Sequence, residues 1–120
     1  MVVDELNSLR KAVPGCDVVA FADLSTQMVL VTSSDRSIPR EEMDALSAEG
    51  SAVLGRSKDG PLGLGRPGSA VVATSTGLRI FLRASAEPSD ALCCIAKSDL
   101  DVAAFLAQAR PCLDRISGDG

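Results

Sequence analysis

The sequence predicts a layered α+β domain with the order helix, strand, strand, helix, strand, strand, strand, helix. Three observations predict it. Helical periodicity recurs at the start, in the middle and at the end of the 120 residues. Between these patterns lie short strand-like runs, four of which form two hairpins joined by tight turns. Several of the runs are apolar on both faces, so the sheet they build needs cover on each side.

Taken in order, Val2, Leu6, Leu9 and Val13 recur at helical spacing, and Pro14 and Gly15 end a short amphipathic first helix. "CDVVAFADL" and "QMVLVTS" follow, separated by Ser25 and Thr26, and read as a first hairpin. Val18, Ala20 and Ala22 alternate with Val19 and Phe21, while Met28 to Val31 is continuously apolar, so both strands are expected to be covered on both faces. The second helix is expected in "SSDRSIPREEMDALSAEGSAVLGRS", with Ser or Asp as cap, Pro39 in its first turn, and Glu41 and Glu42 where the helix dipole favours negative charge. Its stripe of Met43, Leu46, Gly50, Val53 and Leu54 is accompanied by a second strip of small residues, Ala45, Ala48, Ala52 and Gly55. Such a helix has two non-polar faces and two surfaces to touch.

"SAVVATS" and "GLRIFLR" form the second hairpin around Ser75 to Gly77, where glycine supplies a positive φ. Leu78, Ile80 and Leu82 predict one buried face, and Arg79, Phe81 and Arg83 a partly wet one. "ALCCIA" has no polar residue and is expected at the centre of the sheet. "SDLD" resembles a capping box ahead of a last helix that aligns Val102, Phe105, Leu106, Ala109, Cys112, Leu113 and Ile116. Pro111 removes a hydrogen bond inside that helix and predicts a bend or early end. Residues 1–117 are read as one domain and 118–120 as a frayed tail.

"GLGRPG", residues 63–68, spells a dinucleotide-binding Gly-x-Gly-x-x-Gly. The chemistry needs a strand before the loop and a helix N-terminus after it, and here the order is helix, loop, strand. Pro67 lacks the amide hydrogen a phosphate would take, and Glu87 is followed by Pro88, which places it in a loop. The segment is a connector, and no nucleotide binding is expected.

Composition narrows the function. The chain is 46% hydrophobic and 23% charged, which suits a folded globular domain, and its apolar runs stop short of the roughly 18 residues a membrane span needs. With no basic-then-apolar leader pattern, the expected location is cytoplasmic and no membrane partner is expected. A net charge of −4 with three Phe and neither Trp nor Tyr supplies neither a phosphate-neutralising field nor stacking platforms, so nucleic acid is not an expected partner. The four cysteines form no Cys-x-x-Cys pair and histidine is absent, so no metal site is expected. They read as small buried hydrophobes, with Cys93 and Cys94 leaving room for redox sensing. Lack of histidine also disfavours acid–base catalysis near neutral pH, and the chain is expected not to be an enzyme.

Three stretches, "GCDVVAFADLSTQMVLVTS", "VVATSTGLRIFLRAS" and "DALCCIAKSDLDVAAFLAQA", together with the element order, resemble the roadblock / dynein light chain domain family. The resemblance spans nearly the whole chain. One departure is the first turn, Ser25-Thr26-Gln27, where members commonly carry a glycine. The resemblance implies a five-stranded antiparallel sheet between one middle helix and two terminal helices, in profilin-like αββαβββα order. It also implies a non-catalytic homodimeric regulatory or scaffold module without cofactor, whose partners are a second copy of itself and a small Ras-like GTPase or signalling protein. Pairing through the middle helix and third strand makes Met43, Ala45, Leu46, Ala48, Ala52, Ser69, Val71 and Ala73 the candidate interface. Two features of the residues point the same way: the two-sided helix, and a strand "SAVVAT" without charge or proline, which invites pairing. The three alanines are equally good helix formers that could face water. Arg36, Arg40, Arg56, Lys58 and Arg66 gather around the ends of the second helix and suit either an acidic partner or a solvated face. A small-molecule-sensing domain of similar layered architecture is the alternative.

Overall fold

The computed structural model describes residues 2–55 and 68–117. Most of the glycine-rich connector, the basic residues Arg56, Lys58 and Arg66, and the tail 118–120 therefore lie outside the described residues. The elements are α1 (Val2–Ala12), β1 (Cys16–Asp23), β2 (Met28–Ser34), α2 (Arg40–Leu54), β3 (Ser69–Thr74), β4 (Gly77–Arg83), β5 (Asp90–Ala96) and α3 (Val102–Ile116). All strand pairs are antiparallel, in the order β2-β1-β5-β4-β3. The apolar "ALCCIA" run is thus central, as its composition predicts.

Alternation along the strands sorts the core into two layers. Val19, Phe21, Ile80, Leu82, Leu92 and Cys94 meet Leu6 and Leu9 of α1 and Phe105, Ala109 and Leu113 of α3. On the other face Val18, Ala20, Ala22, Phe81, Ala91 and Cys93 meet Met43, Leu46 and Leu54 of α2. The terminal helices therefore share one face and the middle helix covers the other. Phe81 is fully buried, so the second face of β4 is wet only at Arg79 and Arg83, which flank it.

Several local expectations are corrected. β2 is an edge strand whose Met28 and Leu30 are 51% and 53% exposed, so it is not covered on both faces along its length. The cause is a bulge: Phe21 pairs with Val31 and Ala22 with Val29, which leaves Leu30 as the extra residue. Val29 and Val31 still pack into opposite layers. Pro39 is the N-cap of α2 rather than a first-turn residue, and no side chain caps that helix. Its carbonyl accepts from the amides of Glu42 and Met43 instead. In α3 the cap is Asp101 itself, accepting from the Ala104 amide at 3.0 Å, so the "SDLD" box does not form. The helix continues through Pro111 to Ile116, because Phe105, Ala109, Cys112, Leu113 and Ile116 all bury against the sheet and outweigh one lost hydrogen bond.

Two turns constrain single residues. Asp23 accepts from the backbone amide and hydroxyl of Ser25 at 2.9 and 2.6 Å, which also holds its carboxyl below the usual carboxylate range. The turn then closes with Gln27 at φ 57°, the left-handed conformation that a glycine would adopt without penalty. Replacing Gln27 with glycine is expected to raise stability by about 0.5–1 kcal/mol, moving the melting temperature up by roughly 2–5 °C. A thermal melt showing no gain would mean that the glutamine side chain offsets the strain. At the second hairpin a Cβ on Gly77 would stand 2.5 Å from the carbonyl oxygen of Ala96, a backbone atom of the central strand. Gly77→Ala is therefore expected to cost about 2–3 kcal/mol in urea unfolding. A variant within experimental error of the parent would show that β4 and β5 separate freely at that end.

Candidate interaction surface

The surface begins with how α2 is held. Helical periodicity sends Met43, Leu46, Ser47, Gly50, Ser51 and Leu54 to the sheet. Gly50 lets the helix approach closely: a Cβ there would lie 3.1 Å from Cδ1 of Phe81 and 3.6 Å from the sulfur of Cys93. The two serines are buried and donate to carbonyls of the β1–β2 turn, Ser47 to Gln27 at 2.7 Å and Ser51 to Leu24 at 2.9 Å. Oxygens that the turn leaves unpaired are thereby satisfied by the helix.

Charge fixes the rest of it. Arg79 of β4 forms a two-pronged pair with Glu49 at mid-helix, its second contact measuring 3.0 Å. Arg83 reaches the C-terminal carbonyls of Leu54 and Gly55, the latter at 2.7 Å, and Pro88 at 2.9 Å. A guanidinium at that end complements the negative pole of the helix. Gly55 completes the stop, its amide donating to Ser51. Serines, ion pair and arginine together seat α2 on the sheet at three places along its length.

What remains outward is the strip predicted from the sequence. Ala45, Ala48 and Ala52 are all exposed. Met43 and Leu46, placed in the same candidate interface, are not available to a partner: they are 8% and 3% exposed and packed against the sheet. The apolar stripe and the small-residue strip are two sides of the helix, and only the second faces out.

β3 is the free edge beside β4, and it carries neither charge nor proline. Val71 is 46% exposed and Ala73 is also exposed, whereas Ser69 is half-buried. Strand alternation divides this part of the candidate set from the helix. Ala70 and Val72 pack into the α2 layer, so Ser69, Val71 and Ala73 point to the opposite face of the sheet. The structure therefore does not gather the eight residues into one patch. It gives an exposed alanine strip, an open strand edge, and Val71 and Ala73 behind that edge.

A groove of about 550 Å³ runs beside α2, between Ala45, Leu46 and Glu49 on one side and Thr74, Thr76 and Leu78 on the other. Its charges pair with one another: Arg79 with Glu49, Lys97 with Asp17 at 3.8 Å, and Arg36 with Glu42 at 3.5 Å. No buried side-chain nitrogen or oxygen among the described residues is left without a partner. Arg36 of the basic group is thus engaged within the chain. The residues that sequence reasoning missed are Ser47, Ser51, Glu49, Arg79 and Arg83. The two serines were legible in principle, because they share the helical stripe of Met43, Leu46, Gly50 and Leu54.

Element order, sheet order and the division of helices between faces define a Roadblock/LC7 fold. A Roadblock/LC7 domain from Streptomyces avermitilis matches with a TM-score of 0.78 over 95% of this chain and 92% of that one, at 14% identity. MglB in a tetrameric arrangement matches with a TM-score of 0.76 at 13% identity, over 98% of this chain and 88% of that one. MglC from Myxococcus xanthus matches with a TM-score of 0.72 at 11% identity, over 100% of both chains. No family model matches the sequence, and no curated protein matches it. Among the described residues no helix is long and apolar enough to cross a membrane.

Proposed function

We propose that the chain is a non-catalytic regulatory or scaffold module of the roadblock type that works as a homodimer and serves a small Ras-like GTPase. The observation that carries the reading is the exposed Ala45, Ala48 and Ala52 strip on a helix anchored at three places, together with an open edge at β3. Small side chains let two helices approach closely, and an uncharged edge offers a row of unpaired amides and carbonyls. Both features suit a symmetric contact between two copies. The likeness to MglB in a tetrameric arrangement supports self-association, and the resemblance in sequence pattern supports the GTPase.

Light scattering or sedimentation of the protein at roughly 100 μM tests the first half, since even an interface of about −6 kcal/mol populates a dimer there. A monomer at that concentration would refute it. Titration of the protein with a small Ras-like GTPase, loaded in turn with GTP and GDP, tests the second half. Absence of binding in both states counts against the partner while leaving the dimer standing. The groove beside α2 is the observation that favours a small-molecule sensor, but its mutually paired charges leave few groups to converge on a ligand.

A further inference from the structure

We propose that Cys16 and Cys94 form a thiol-oxidation site, a pair that a peroxide converts to a disulfide in the folded protein. Their sulfurs stand 3.5 Å apart in the layer opposite α2, although the residues are 78 positions apart in the chain. A disulfide bond is about 2.05 Å long, so the sulfurs must approach by only about 1.5 Å. The slack is on the Cys16 side. Cys16 is the first residue of β1, follows Gly15 at φ 90°, and borders a register shift between Cys16 and Val18. Cys94 is fully buried in the central strand and stays in place.

The two thiols also differ in the way such chemistry needs. Cys16 is 8% exposed and Cys94 not at all, so Cys16 is the less deeply buried member of the pair. The hydrogen bond with Cys94 favours its thiolate, with Arg10 assisting, while burial and Asp17 oppose. Cys94 is pushed far up by its bond to Cys16 and by burial. The Cys16 sulfur attacks one peroxide oxygen; the O–O bond breaks, Cys16 becomes a sulfenic acid, and its proton leaves in the first water. The Cys94 sulfur then attacks the Cys16 sulfur, the S–S bond forms as the S–O bond breaks, and the hydroxyl departs with the Cys94 proton as the second water. Two thiols lose two electrons and one peroxide becomes two waters.

Cys93 and Cys112 serve as internal references. Cys93 faces α2, and burial pushes its thiol up to about 12. Cys112 donates to the carbonyl of Glu5 at 3.7 Å. The link would tie the α1–β1 turn to the central strand, where the Lys97 amide already donates to the Gly15 carbonyl at 2.9 Å.

The test treats the folded protein with hydrogen peroxide, denatures and alkylates it, and reads intact mass and a non-reducing peptide map. The expected product has two of its four cysteines protected from alkylation, is lighter by two hydrogens, and yields one linked peptide pair containing Cys16 and Cys94. Cys93→Ala is expected to keep the link and Cys16→Ala to lose it; the map of the parent needs neither variant to fold. Four alkylatable cysteines after peroxide doses that cross-link the unfolded chain would overturn the proposal. So would Cys16 accumulating as sulfinic acid without a link, or a link that contains Cys93 in place of Cys94.

Discussion

Phe81→Ala is expected to destabilise the protein by about 3–5 kcal/mol, the range for removing a buried aromatic ring. The ring is fully buried at the centre of the α2 layer, directly beneath Gly50. Gly50, directly against the ring, has no side chain to turn into the void, which places the cost toward the upper end. The loss is a large part of the 5–15 kcal/mol that stabilises an ordinary domain, and lowers the melting temperature by roughly 10–20 °C. Urea unfolding monitored by circular dichroism gives the number. A loss below about 1 kcal/mol would show that α2 does not rest on this ring, and the described seating of the interaction surface would be wrong.

Ala48→Arg is expected to abolish self-association while leaving the protomer folded. Ala48 is exposed in the middle of the alanine strip, so the substitution meets water in the monomer and costs within about 0.5 kcal/mol there. In a symmetric helix contact the same arginine occurs twice, and two desolvated like charges oppose each other. A penalty of about 3–5 kcal/mol raises the dissociation constant by more than a hundredfold. Sedimentation at roughly 100 μM should then report a dimer for the parent and a monomer for the variant, with helical circular dichroism retained. A variant that remains dimeric would place the contact elsewhere, at the β3 edge, where Val71→Pro removes an amide that points away from β4.

The candidate surface was legible in the sequence in part. The small-residue strip on α2 could be read from spacing alone, since Ala45, Ala48 and Ala52 recur on one side of a helix. The assignment of Met43 and Leu46 to the same surface could not be checked that way, because an apolar residue suits a core and an interface equally. Ser69, Val71 and Ala73 follow from pairing through the third strand, and strand alternation places them behind the sheet, away from the helix. Which parity of β3 faces α2 depends on the register with β4, and one sequence does not show register.

Local chemistry determined the elements. Turn residues such as Pro14-Gly15 and Ser75-Thr76 punctuate the chain, the 3.6-residue period marks the helices, and the unbroken "ALCCIA" run requires a strand shielded on both faces. These signals are carried by neighbours within a few positions, so they survive in the sequence as it stands. The tertiary structure alone decided everything that depends on partners far along the chain. It left β2 at an edge with Leu30 bulged into solvent, although Met28 to Val31 reads like a buried strand. It buried Ser47 and Ser51 by supplying turn carbonyls 20 and 27 positions away, and it brought the sulfurs of Cys16 and Cys94 to 3.5 Å. Burial and contact belong to pairs of residues rather than to single ones, and the pairs are fixed only when the strands take their places.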